Sequence, residues 1–185
     1  LSAQHQLMAL GIWKDERSAN WLDGAAPFYR TYECADGKFI SLGPLEPEFF
    51  ALLLEKLGLA GDPDFADILD AASWERLNAR FEAIFRAHPR DHWDRLLEGT
   101  DVCYAPVLSL TEAAEHPHMK ARGVFQEING VMQAAPAPRF SATPGATAGP
   151  APKPGQDTRA ALLDWGFTPE DVSRLAGAGA IANDA

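Results

Sequence analysis

The sequence predicts an α+β fold: a small domain in which a β-hairpin or antiparallel sheet is packed by helices, then a Pro/Ala/Gly-rich strap and C-terminal helices. Three observations predict it. Asp36-Gly37 lies between two alternating segments, a strong hairpin signal because both turn residues take positive φ at little cost. Between positions 47 and 97, apolar residues recur at helical spacing. From 134 to 156, sixteen of 23 residues are Pro, Gly or Ala, and the six prolines exclude a regular helix or a central strand.

In chain order, residues 1 to about 12 read as a helix, with Leu1, Leu7, Met8 and Ile12 apolar and Gly11 at its end. Leu1 is not an initiator methionine and no capping residue precedes it, so the expectation is a chain that has lost an N-terminal part. Residues 13–23 form a polar connector edged by Trp13 and Trp21. Ala26 to Gly43 is the hairpin, with Phe28, Arg30, Tyr32 and Cys34 on one face and Tyr29, Thr31 and Glu33 on the other. Pro47 opens a helix to about Leu57, since proline loses nothing in a first turn. Phe50, Leu53, Leu54 and Leu57 are its buried stripe and Gly58 stops it. A loop over 59–72 leads to Ser73, which caps a helix burying Leu77, Phe81, Ile84 and Phe85. The next helix starts at Pro89 and buries Trp93, Leu96 and Leu97. Val102 to Leu108 reads as a strand, and Ser109 or Thr111 caps a short helix to Glu115. His118 to Arg122 is a helical turn, and Gly123-Val124-Phe125 leads into a strand to about Ile128. Asp157 caps a helix carrying Leu162, Leu163 and Trp165, and Thr168-Pro169-Glu170 opens a last one with Val172 and Leu175. The expected organisation is a linking helix and connector at 1–19, the small domain at 20–133, the strap at 134–156 and the C-terminal helices at 157–185.

Charge excludes several functions. Sixteen Lys and Arg against 26 Asp and Glu give a net charge of -10, unlike the basic footprint of a nonspecific nucleic-acid binder or a polybasic membrane-surface protein. No apolar run reaches the roughly 18 residues of a transmembrane helix. Two cysteines make no disulfide framework, and a cytoplasmic protein with Cys34 and Cys103 in its core is expected. His88 and His92 are four apart, but Pro89-Arg90-Asp91 between them is not a zinc-protease pattern, so no metal site is expected. His116 and His118 read as surface residues at a helix end. No phosphate cradle, dinucleotide fingerprint or Gly-x-Ser-x-Gly elbow occurs.

Two segments stand apart. Asn20-Trp21-Leu22-Asp23-Gly24-Ala25-Ala26-Pro27-Phe28-Tyr29 gathers apolar and aromatic residues around an Asp-Gly turn. It reads either as a core-facing turn or as the lining of a cleft. Gly43-Pro44-Leu45-Glu46-Pro47-Glu48-Phe49 sets Glu46 at a helix start, where it is either a partner of the helix dipole or a carboxylate that orients a histidine.

Together these segments resemble the α-methylacyl-CoA racemases of the CaiB/BaiF (family III) CoA-transferase group. Ala35-Asp36-Gly37-Lys38, Gly99-Thr100-Asp101-Val102-Cys103, Ala105-Pro106-Val107, His116-Pro117 and Arg122-Gly123 extend the resemblance over nearly the whole chain. It implies an isomerase of fatty acid metabolism that inverts the α-carbon of 2-methyl branched acyl-CoA thioesters through an enolate. It implies no separate cofactor, since CoA is part of the substrate. The proton-transferring His and Asp of the group belong to a larger Rossmann-like domain, and neither has a matching position here; His5 lies before the matching segment. The resemblance implies that this domain is absent, that the chain is inactive alone, and that the complete protein is an interlocked homodimer to which the strap returns. Glu46 matches the carboxylate that orients the catalytic His, and Trp21, Leu22, Phe28, Tyr29 and Leu45 match the acyl floor around the Asp23-Gly24 turn. Trp21 stands where the racemases have Met, Ala25 replaces a Gly, and Pro44 replaces an Ala, so a family III CoA transferase is the alternative. A non-catalytic dimerisation or ligand-binding domain is a third reading.

Overall fold

The hairpin forms where the alternation places it. In the computed structural model, which describes residues 2–147 and 149–182, β1 (Arg30–Glu33) and β2 (Phe39–Leu42) pair antiparallel around Asp36-Gly37. β3 (Tyr104–Val107) joins the other side of β2, giving a three-stranded sheet in the order β1-β2-β3. Its register aligns Tyr32, Ile40 and Pro106 on one face and Thr31, Ser41 and Ala105 on the other. The first helix, α1 (Ser2–Ala9), buries none of its residues; Leu1, expected to begin it, lies outside the described residues.

Helices cover the Tyr32 face. α2 (Pro47–Lys56) has proline in its first turn and buries Phe50 and Leu53. α3 (Trp74–Phe85) buries Trp74, Leu77, Phe81 and Phe85 and packs on β1. Ser73 precedes it without a side-chain cap; its hydroxyl donates instead to the Asp70 carbonyl (2.7 Å), which tightens a short 3-10 turn at Ala71–Ser73. Aromatic rings fill the space: Phe81 stacks on Phe65 at 5.1 Å and meets Tyr32 edge-on at 5.9 Å, and Phe85 meets Trp93 edge-on at 5.0 Å. α4 (Arg90–Leu97) holds β3 in place. The buried Arg90 donates to the Val107 carbonyl (2.9 Å), and the Tyr104 hydroxyl bonds Asp94.

Residues Leu1–Leu110 and Thr111–Ala185 form two separate units. The second begins with α5 (Leu110–Glu115) and α6 (Pro117–Ala121). The strand expected to end near Ile128 is β4 (Phe125–Ile128), and it pairs with β5 (Val131–Ala134), which the sequence reading did not anticipate. Asn129 and Gly130 both have positive φ, so the connection is the primed turn that Asn-Gly favours. That dipeptide was the available signal. Between β5 and α7 (Thr158–Asp164) the described residues form no helix or strand. α8 (Pro169–Gly177) packs on α7 and starts with a capping box, in which Thr168 and Asp171 satisfy each other's backbone N–H.

Phe81 touches the largest number of aromatic partners in this core and is fully buried. Phe81→Ala should therefore lower unfolding free energy by about 3–5 kcal/mol, read from the midpoint of a urea transition.

Candidate functional site

A buried amide and a carboxylate build the turn before the sheet. Asn20, only 3% exposed, accepts from the Lys14 N–H (2.8 Å) and donates to the Lys14 carbonyl (3.1 Å) and to Asp23 (2.8 Å). Asp23 in turn accepts from the N–H groups of Ala19 (3.0 Å), Asn20 (3.0 Å) and Ala25 (3.2 Å). Burial pushes its carboxyl up, but these donors, led by the Asn20 amide, outweigh it and hold the group below the ordinary carboxylate range. Asp23 is thus an ionised acceptor that shapes a loop. Gly24, at φ +92°, turns the chain where a side chain would be strained.

The next residues enter the core. Ala26, Pro27 and Phe28 are buried; the Tyr32 hydroxyl donates to the Pro27 carbonyl (2.6 Å), and Asn78 of α3 donates to the Ala25 carbonyl (2.9 Å). Tyr29 then emerges on the opposite face. A cleft of about 680 Å³ opens there, over the Thr31–Ser41 side of the sheet. Leu22, Asp23, Gly24 and Tyr29 line it together with residues of all three strands or their ends, among them Thr31, Ser41, Gly43 and Cys103. The Gly43 N–H donates to the Cys103 carbonyl (2.9 Å), continuing the β2–β3 pairing past the strand ends.

The structure sorts the sequence-derived residues into three groups. Leu22, Asp23, Gly24 and Tyr29 come together at the cleft, with Leu22 46% and Tyr29 40% exposed. Trp21, 39% exposed, lies outside its lining. Two residues are corrections to the expected acyl floor. Phe28 is 0% exposed and packs edge-on against Trp74 at 6.4 Å, because it shares the core face with Tyr32. Leu45 lines a separate groove with Phe50, Leu54, Phe65 and Ile68, because a tight turn (Leu45 N–H to Gly43 carbonyl, 2.9 Å) swings the chain away after β2. Glu46 is exposed at the N-terminus of α2 and makes no capping hydrogen bond.

Cys103 is another correction: it is exposed at the cleft, at φ +50°, whereas Cys34 is buried as expected. Burial first, then the charges of Glu46 and Asp101, push the Cys103 thiol up. The floor residues Thr31 and Ser41 were legible from the strand alternation, but Cys103 was not, because it arrives with a strand distant in sequence. His88 and His92 stack on each other with ring centroids 4.1 Å apart, and no cluster of three or more His, Cys, Asp or Glu suited to a metal occurs among the described residues. No helix among them is long and apolar enough to cross a membrane.

Residues 2–158 match the sequence profile of CoA-transferase family III, and the chain belongs to that family. It is 37% identical over 168 residues to an α-methylacyl-CoA racemase of Mus musculus and 36% identical over 169 residues to one of Homo sapiens. Each match takes in 90% of this chain, and the chain spans 44% of the length of these relatives. A CAIB/BAIF family protein from Brucella suis has the same fold, with a TM-score of 0.67 at 24% identity over 89% of this chain and 44% of that one.

The pH dependence of the Asp23 turn follows from its depressed carboxyl. Its stabilisation is complete above the unfolded value near about 4 and is lost as pH falls below that through the folded value. Asp23→Asn should cost about 1–2 kcal/mol at pH 7 and flatten the acid limb of stability against pH, as followed by thermal unfolding between about pH 3 and 7.

Proposed function

We propose that this chain is the small-domain part of an enzyme that racemises or epimerises the α-carbon of 2-methyl branched acyl-CoA thioesters. The observation that carries this reading is the 36–37% identity to two α-methylacyl-CoA racemases over nine tenths of the chain. The residues that carried the sequence resemblance also contribute to the cleft, where Leu22 and Tyr29 offer apolar surface to an acyl chain. A thioester acidifies its α-proton, so removal and return through an enolate need one base and one acid on opposite faces, and no redox group. CoA enters as part of the substrate. None of His5, His88, His92, His116 and His118 lines the cleft. The family resemblance assigns the proton-transfer pair to a larger domain outside this chain, in a complete protein that assembles as an interlocked homodimer in the cytoplasm.

Glu46 acts in this reading as a positioning residue. Glu46 stands exposed at the start of α2 and makes no capping hydrogen bond, so its carboxylate is open to accept from an imidazole N–H. A family III CoA transferase is the second reading, since the profile that matches residues 2–158 is named for that activity.

Two outcomes test the proposal. The chain alone, incubated with a 2-methylacyl-CoA in heavy water, should show no α-proton exchange above the protein-free rate by NMR; exchange lost on mutation of a residue of this chain would refute it. In the complete enzyme, Glu46→Gln should reduce turnover about tenfold to a hundredfold with little change in KM, by the worth of one charge-assisted hydrogen bond. An undiminished rate would remove Glu46 from the mechanism.

A further inference from the structure

On the other side of Gly24 from the acyl cleft lies a second cavity of about 440 Å³, bounded by the connector and the first turns of α3. Lys14, Ser18, Gly24, Arg30, Trp74 and Glu75 are among its lining residues. In a chain of net charge -10, two cations share this cavity with a single carboxylate, Glu75. Arg30 is held in place by Glu82 (3.3 Å) and lies 5.4 Å over the Tyr32 ring. The Lys14 ammonium has no hydrogen-bond or ion-pair partner among the described residues, nor has the Ser18 hydroxyl.

The connector is fixed more firmly than packing explains. None of residues 13–19 is buried, yet the buried Asn20 side chain bonds both backbone groups of Lys14 and reaches the Glu16 carbonyl (3.5 Å). Ser18 is held at φ +54°, a conformation that costs a serine energy. Ordering of this kind presents an ammonium and a hydroxyl at a cavity mouth, the preorganisation that anion recognition rewards.

We propose that this cavity binds a small oxyanion, phosphate or carboxylate, through Lys14, Ser18 and Arg30. Because it shares Gly24 and Arg30 with the acyl cleft, one ligand crossing Gly24 reaches both. The oxyanion is then a phosphate of the CoA tail or a carboxylate at the far end of the acyl chain. The site itself is independent of the acyl-CoA reading, and only the source of the oxyanion rests on it.

The test is titration of this chain with inorganic phosphate at low ionic strength, followed by the amide NMR shifts of Ser18 and Gly24. Saturable shifts are expected. Lys14→Gln should weaken binding about tenfold, the worth of one charge-assisted contact, while Lys153→Gln, an equal charge change on an exposed lysine of the other unit, should not. Ser18→Gly separates ligand binding from loop structure: glycine suits φ +54°, so the unfolding midpoint should hold or rise while phosphate affinity falls. Competition identifies the source. Displacement of phosphate by coenzyme A assigns the CoA tail, and displacement by glutarate with no effect of coenzyme A assigns an acyl carboxylate. Equal weakening by Lys14→Gln and Lys153→Gln, or shifts that never saturate, would overturn the site whatever the fate of the racemase reading.

Discussion

A peptide carbonyl taken out of water needs a donor, and that requirement fixes the entry to the sheet. Residues 25–28 pass into the aromatic core, and the carbonyls of Ala25 and Pro27 go with them. Asn78 of α3 and Tyr32 of β1 supply the donors. Burial pushes the Tyr32 phenol far above its usual range, so it remains a donor throughout the physiological range. With this stretch tied to both sheet and helix, Phe28 is committed to the core and Tyr29 to the outer face. The cleft exists because the chain crosses the sheet edge at this point.

The other wall has a parallel cause. β3 reaches β2 from sixty residues away and is held by polar contacts from α4, where Arg90 and Asp94 bind the two ends of the strand. The hairpin turn is tied to the same corner, since the Ala35 N–H donates to the His88 carbonyl (3.0 Å) and Asp36 accepts from the Arg90 N–H (3.3 Å). Cys103 reaches the cleft as a consequence of these contacts.

Electrostatics divide the two cavities around Gly24. Asp23 faces inward to backbone donors, so its charge is spent on the loop. Arg30 borders both spaces, and Lys14 is confined to the connector side. The space beside the connector is thus bordered by Lys14 and Arg30, and the cleft by Leu22 and Tyr29.

The sequence by itself determined the local elements. Asp36-Gly37 made the hairpin, Pro47 and Gly58 bounded α2, and the spacing of Leu77, Phe81 and Phe85 defined the buried side of α3. Asn129-Gly130 sets the second hairpin in the same way. These are short-range effects of backbone sterics and side-chain period, which neighbouring residues decide. The Trp21–Tyr29 segment and Glu46 stand apart by their residues alone, but a role for them comes only from the family resemblance. Tertiary structure alone decided which of their side chains meet. Phe28 went to the core, Leu45 to another groove and Cys103 to the cleft wall, because the pairing of β2 with β3 and the demands of buried carbonyls act between residues far apart in the chain, where no local period reports them.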